Sequence, residues 1–128
     1  MLEKVLGRHV ICEFRNINKE LLDDKDLLVS ILVDACKKGN AGILGHIEHR
    51  FTPHGVTILI LLSESHCSIH TWPEKEYAAM DIFTCGDHVD PLLIFNFIHR
   101  KLKGRVYFSQ IDRGLPYLEN MVSVPEYD

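Results

Sequence analysis

The sequence lacks the features that mark membrane, secreted and nucleic-acid-binding proteins. Its longest nearly unbroken apolar stretch, residues 56–62, is far too short to cross a bilayer. The segment "MLEKVLGRH" has no basic-then-apolar leader, so no signal peptide is predicted. A net charge of −4 gives no general attraction to a phosphate backbone, so nucleic acid is not an expected partner.

Motifs that pair cysteines or gather metal ligands are also missing. The chain has four cysteines and no CxxC pair: Cys12, Cys36, Cys67 and Cys85. This spacing favours reduced thiols in a cytoplasmic protein over a disulfide framework or a zinc finger. His66 and His70 are four residues apart on a predicted strand, which separates their rings by about 13 Å. No metal site is therefore predicted.

The composition is typical of one soluble globular domain. The chain has 128 residues, of which 46% are hydrophobic and 25% charged, so residues 1–128 are interpreted as a single domain. A polar connection is predicted before the first helix and a loose, acidic tail at the C-terminus. Hydrophobic periodicity predicts two helices, over 26–38 and 91–103, and six strands, over 7–17, 41–51, 55–64, 67–72, 77–86 and 104–112.

The order of these elements predicts the fold class. One strand, one helix, several strands, a second helix and a last strand indicate an α+β protein. We expect a two-layer sandwich, with an antiparallel sheet and both helices on one face. The third strand, in "GVTILILL", is apolar on both faces, so the other face of the sheet should also be covered. A second copy of the chain is the simplest cover, which predicts a homodimer.

The stretch "SESHCSIHTW", residues 63–72, is unusually polar for a segment that directly follows a buried strand. Its serines and histidines, with one later histidine, are candidate nucleophiles and bases: Ser63, Ser65, Ser68, His66, His70 and His88. No G-x-S-x-G elbow is present. From the residues alone, a catalytic site and an ordinary solvated strand end remain equally open hypotheses.

A longer stretch carries a family resemblance. Residues 63–91, "SESHCSIHTWPEKEYAAMDIFTCGDHVDP", resemble the active-site region of the prokaryotic S-adenosylmethionine decarboxylases. The likeness extends to "GRHVICEF" near the N-terminus, "HRFTPHGV" at 49–56 and "RG" at 113–114. It implies a cytoplasmic, dimeric, self-processing enzyme that converts S-adenosylmethionine to its decarboxylated form and CO2 for spermidine synthesis.

The resemblance implies that the chain cuts itself at Glu64–Ser65. The Ser65 hydroxyl would attack the Glu64 carbonyl carbon, and elimination of the resulting ester would leave a β chain, 1–64, and an α chain, 65–128. Residue 65 would become a pyruvoyl group, whose ketone forms a Schiff base with the substrate amine and acts as an electron sink. No pyridoxal phosphate and no metal are implied.

The resemblance also implies roles for individual side chains. His70 would accept the proton removed during elimination, a task that suits an imidazole near neutral pH. Cys85 would return a proton to the substrate α-carbon after decarboxylation. Phe51, with the His70 ring, would hold the adenine by stacking, and Glu74 would bind the ribose hydroxyls through its two acceptor oxygens.

Two departures from the family pattern bear on processing and on the substrate. Thr57 stands where many relatives have a serine that assists cleavage; it keeps the hydroxyl but stiffens χ1. Lys75 and Glu76 replace a tyrosine and a glycine beside Glu74. Some relatives with the same machinery decarboxylate arginine or ornithine instead, which is one alternative. The other is an uncut, non-catalytic homologue that binds or regulates a partner.

Overall fold

Apart from one short additional helix, the strands and helices follow the predicted order over residues 5–127, the part of the chain that the computed structural model describes. The strands of this part are β1 (Gly7–Arg15), β2 (Ile43–Arg50), β3 (Val56–Leu62), β4 (Ser65–Trp72), β5 (Tyr77–Cys85) and β6 (Arg105–Arg113). Its α-helices are α1 (Lys19–Leu22), α2 (Lys25–Lys38) and α3 (Pro91–Leu102). Two 3-10 turns cover Pro73–Lys75 and Leu115–Asn120.

The strands form one sheet in the order β2-β3-β4-β5-β1-β6, and every neighbouring pair is antiparallel. Alternate residues of the central strands join α2 and α3 in a single buried core. Both long helices therefore pack on the same face of the sheet. This arrangement confirms the predicted two-layer α+β sandwich.

Capping side chains set the starts of the two long helices. The Asp24 carboxylate accepts the Leu27 N–H at 3.1 Å, and α2 begins one residue earlier than predicted. The Asp90 carboxylate accepts the Leu92 N–H at 2.9 Å, and Pro91 occupies the first position of α3, as predicted.

The predicted polar connection contains a helical turn that periodicity did not indicate. The Asn18 side chain accepts the Leu21 N–H at 2.9 Å, which caps α1, and Leu22 is fully buried. Four residues are too few to show a 3.6-residue period, so only the cap was visible in the sequence. The predicted loose tail likewise begins with part of the 3-10 turn Leu115–Asn120.

The sheet has a second face, opposite the helices, which we call the open face. On β3, Ile58 and Ile60 are fully buried under the helices, whereas Leu59 and Leu61 on the open face are 46% and 57% exposed. The prediction that both faces of this strand are apolar is confirmed. Among residues 5–127, no helix has the length and apolarity needed to span a membrane.

Candidate active site

The bond predicted to break lies in a tight turn with an unfavourable backbone. Ser63 and Glu64 alone connect β3 to β4, and Leu62 pairs directly with Ser65. Ser65 has a φ of +147°, a region that side-chain-bearing residues rarely adopt. Such conformations cost on the order of 1–3 kcal/mol and persist only where the surroundings enforce them. The Glu64–Ser65 linkage is thus held in a strained shape.

Glu64 is fixed through both its carbonyl and its carboxylate. The Cys85 N–H donates to the Glu64 carbonyl oxygen at 2.9 Å. The carboxylate lies 2.8 Å from His88 Nε2 and accepts the Gly42 N–H at 3.0 Å. The hydrogen bond with His88, helped by the one from Gly42, lowers the pKa of the Glu64 carboxyl despite its burial. The carbonyl that would be attacked therefore already carries a backbone donor.

The end of β5 brings two further side chains to this turn. Cys85 is exposed at the end of the strand. Thr84, one residue earlier, pairs directly with Ser65 across the β4–β5 ladder and is 1% exposed. We call Glu64, Ser65 and Cys85 the cleavage end of the sheet.

His70 and Thr57 meet at the opposite end of β4. Thr57 pairs with His49 on one side and with His70 on the other, so the three residues form a row across β2, β3 and β4. The Thr57 hydroxyl lies 3.0 Å from His70 Nδ1, within hydrogen-bonding distance. Phe51, just beyond β2, packs edge-on against His49 with ring centroids 4.6 Å apart. We call Phe51, Thr57 and His70 the histidine end.

Glu74 lies near the histidine end, in the 3-10 turn that follows β4. Its carboxylate pairs with the His54 imidazole. Glu76, two residues later, has a φ of +53°. This left-handed conformation is one that favours glycine, so the Glu76 side chain stands at a backbone position that suits glycine better.

A single chain does not bring the cleavage end and the histidine end together. Ser65 and His70 are five residues apart on β4, and at about 3.3 Å per strand residue they are separated by about 16 Å. This distance is far beyond the hydrogen-bond reach that a base requires. The predicted site residues thus form two separate groups.

Sequence reasoning missed a polar cluster at the centre of the open face. Asp81 Oδ2 lies 2.7 Å from His9 Nε2 and 3.1 Å from His66 Nε2, and Ser68 donates to Oδ1. Burial raises the pKa of the Asp81 carboxyl, but the hydrogen bonds with Ser68, His9 and His66 hold it below its usual value. Asp81 is the one charged residue of β5, which was the available signal, but its partners lie on β1 and β4.

The His9, His66 and Asp81 side chains also place three possible metal-ligand atoms within 4.8 Å of one another. The 2.7 Å contact between His9 and Asp81 is a hydrogen-bond distance. Two ligands of one tetrahedral zinc ion stand about 3.3 Å apart, given bonds of about 2.0 Å. Hydrogen bonding therefore accounts for this cluster.

Comparisons with known proteins agree on one family. The family model described as S-adenosylmethionine decarboxylase matches residues 8–114. The chain is 45% identical to the S-adenosylmethionine decarboxylase proenzyme of Thermosipho melanesiensis over 87% of this chain and 86% of that protein. It is 42% identical to the proenzyme of Caldicellulosiruptor saccharolyticus over 86% of this chain and 90% of the relative.

A solved structure extends this agreement to the fold. The crystal structure of the adenosylmethionine decarboxylase from Aquifex aeolicus matches with a TM-score of 0.83 and 29% identity, covering 98% of this chain and 100% of that one. The family resemblance found in the motifs is confirmed. This chain belongs to the S-adenosylmethionine decarboxylase family.

Proposed function

We propose that this chain is a self-processing decarboxylase that converts S-adenosylmethionine to decarboxylated S-adenosylmethionine and CO2, for spermidine synthesis. The relatives from Thermosipho and Caldicellulosiruptor are named as proenzymes of this activity, and the solved relative from Aquifex as an enzyme of it. These findings give no support to an arginine or ornithine decarboxylase, or to an uncut binding homologue.

The observation that carries the proposal is the backbone at Ser65. Attack by the Ser65 hydroxyl on the Glu64 carbonyl carbon exchanges the amide for an ester and relieves the strain of the +147° φ. Negative charge develops on the Glu64 oxygen during the attack, and the Cys85 N–H at 2.9 Å is already placed to stabilise it. Elimination then separates residues 1–64 from residues 65–128.

The surroundings of residue 65 fit a pyruvoyl group. The group would supply an electron sink for decarboxylation, so that neither pyridoxal phosphate nor a metal is required. Within residues 5–127, the buried side-chain polar atom left without a hydrogen-bond partner is Thr84 Oγ1, on the residue paired with Ser65. This hydroxyl could donate a hydrogen bond to the ketone oxygen that a pyruvoyl group would place at residue 65.

The chain's own residues would bind the substrate and move protons around this group. The exposed Cys85 thiol at the cleavage end would return a proton to the substrate α-carbon. The His70 imidazole, hydrogen-bonded to Thr57, would take up the proton lost in the elimination. Phe51 would stack on the adenine, and Glu74 would exchange His54 for the ribose hydroxyls.

A homodimer would complete the site. Because about 16 Å of strand separates Ser65 from His70 within one chain, the His70 that serves a given Ser65 belongs to a second copy. A twofold axis running across the strands, between two open faces, would lay the cleavage end of one sheet on the histidine end of the other. The exposed apolar side chains of the open face supply the contact: Ile11, Ile47, Leu59 and Leu61.

The dimer also accounts for a groove on the open face. A cavity of about 680 Å³ lies over β2–β5, with Ile47, Leu59 and Leu61 on one side and His66 and Asp81 on the other. A second sheet packed there would exclude water from both ends of the site. We further propose a cytoplasmic location, which the four free cysteines support.

Intact mass under native purification tests the cleavage. We expect the 14.7 kDa chain to be replaced by two fragments split between Glu64 and Ser65. Borohydride with an amine should trap a carbonyl on the second fragment, and labelled CO2 should be released from S-adenosylmethionine but not from arginine or ornithine. A chain that stays whole, or one that is cut but turns over only a basic amino acid, contradicts the proposal.

Co-expression of two inactive variants tests the shared site. In a Ser65→Ala/His70→Ala mixed dimer, one of the two sites has both a native Ser65 and a native His70. Random pairing of equal amounts should restore about a quarter of the wild-type sites, whereas each variant alone should be uncut or inactive. If His70 serves Ser65 of its own chain, the mixture stays inactive.

A further inference from the structure

Thr84 carries a buried hydroxyl that the folded proenzyme leaves without a partner. Thr84 is 1% exposed, and its Oγ1 makes no hydrogen bond within residues 5–127. Thr71, a buried threonine on the neighbouring strand, shows the usual arrangement. Its hydroxyl donates to the Leu22 carbonyl at 2.7 Å and accepts the Val56 N–H at 2.9 Å. An unpaired buried hydroxyl destabilises the state in which it stays unpaired, and a second state in which it is paired would explain its presence.

The register identifies the residue that Thr84 faces. Thr84 is paired directly with Ser65 across the β4–β5 ladder, and the Cβ atoms of such partners lie about 4.5–5.5 Å apart. A hydroxyl on one side chain therefore reaches polar atoms on the other. The N–H of the next residue along β5, Cys85, donates to the Glu64 carbonyl. The Glu64 oxygen therefore already has a donor, and the Thr84 hydroxyl is left beside residue 65.

The cleavage chemistry changes what residue 65 offers to this hydroxyl. The Ser65 Oγ leaves with Glu64 as a carboxylate oxygen, the Ser65 nitrogen leaves as ammonia, and water supplies a ketone oxygen. That oxygen is a hydrogen-bond acceptor that the uncut chain does not have. The group stays attached through the backbone nitrogen of His66, whose ring lies 3.1 Å from Asp81, so the ketone remains beside β5.

We propose that the Thr84 hydroxyl donates a hydrogen bond to the ketone oxygen formed at residue 65, and that it thereby orients and polarises this carbonyl. The inference rests on the proposed function, because it requires the cut chain. A donor on the oxygen draws electron density from the carbonyl carbon, which makes that carbon more reactive towards an amine. Thr84 thus favours the cleaved protein and is unsatisfied in the proenzyme.

The test compares Thr84→Val in an uncut and in a cut protein, with Thr71→Val as the matched control. Valine keeps the shape of threonine and removes the hydroxyl. In an uncut Ser65→Ala background, Thr84→Val should leave the melting temperature unchanged or raise it. In the cut protein it should lower the melting temperature by about 2–6 °C. Thr71→Val should lower it in both backgrounds. Equal shifts for Thr84→Val in the two backgrounds would overturn the inference.

Carbonyl reactivity provides a second readout, independent of turnover. The rate at which phenylhydrazine labels the 65–128 fragment should fall about tenfold in Thr84→Val, and Thr84→Ser, which keeps the hydroxyl, should restore it. Wild-type labelling of Thr84→Val contradicts the inference, and so does a Thr84→Val chain that is never cut, since Thr84 would then act before the ketone exists. If the wild-type chain itself is never cut, the proposed function fails first.

Discussion

The cleavage end and the histidine end lie at opposite ends of β4 and are built differently. At the cleavage end the notable features belong to the backbone: the +147° φ of Ser65 and the Cys85 N–H on the Glu64 carbonyl. At the histidine end they belong to side chains: the His70 imidazole beside the Thr57 hydroxyl, and Phe51, which is 45% exposed. The proposed mechanism needs groups from both ends, so under it neither end is an active site alone.

The largest effect on the cleavage rate is expected from removing the proposed base, His70. His70→Ala should slow cleavage by about a thousandfold, because general bases contribute factors of about 10²–10⁴. The appearance of the two fragments, followed by mass spectrometry, measures the rate. His46→Ala is the control, since His46 pairs with Glu48 on edge strand β2. Normal cleavage in His70→Ala would contradict the proposal that His70 of one chain serves Ser65 of a second copy.

Cys85→Ala tests whether the backbone N–H of Cys85 acts in cleavage while its thiol acts in decarboxylation. Alanine keeps the N–H that holds the Glu64 carbonyl, so cleavage should proceed. The thiol proton is lost, so kcat should fall by about a hundredfold. Fragment masses and CO2 release report the two outcomes. An uncut Cys85→Ala chain would show that the thiol, and not only the N–H, takes part in cleavage.

A smaller effect is expected at Thr57, where only one hydroxyl changes. Thr57→Val removes the oxygen 3.0 Å from His70 Nδ1, and loss of one hydrogen bond of about 1 kcal/mol should slow cleavage by about five- to tenfold. Thr57→Ser keeps the oxygen and should cut at least as fast as the wild type. Equal rates for valine and serine at this position would assign Thr57 no part in orienting His70.

The smallest effect is expected on the free energy of unfolding, from a change at Asp81, which lies between the two ends. Hydrogen bonds lower the pKa of this carboxyl in the folded chain, so they stabilise the fold above the unfolded pKa and are lost as pH falls through the folded pKa. Asp81→Asn should reduce the free energy of unfolding by about 1 kcal/mol at neutral pH, and the difference should vanish in acid. Urea unfolding at several pH values measures it, and a pH-independent difference would contradict this account.

The fold was predictable because its signals are local. The apolar run of β3, the caps at Asp24 and Asp90, and Pro91 at the start of α3 each lie within a few residues of the structure they specify. The single turn α1 escaped because it is too short to show a period.

The site was only partly predictable, because its contacts join distant residues. The motif resemblance named Ser65, His70 and Cys85, but spacing alone did not reveal that Ser65 and His70 occupy opposite ends of one strand. The positive φ of Ser65, the His88 contact with Glu64 and the partnerless hydroxyl of Thr84 depend on tertiary packing. None of them has a signature within a few residues of sequence.

The strand order would make the two products of the proposed cleavage inseparable without unfolding. Residues 1–64 contribute β1, β2 and β3, and residues 65–128 contribute β4, β5 and β6, yet β1 lies between β5 and β6. One fragment is therefore inserted into the sheet of the other, and pulling them apart would tear the β3–β4, β1–β5 and β1–β6 ladders. A chain cut between residues 64 and 65 would keep its shape through this interleaving, without a covalent link.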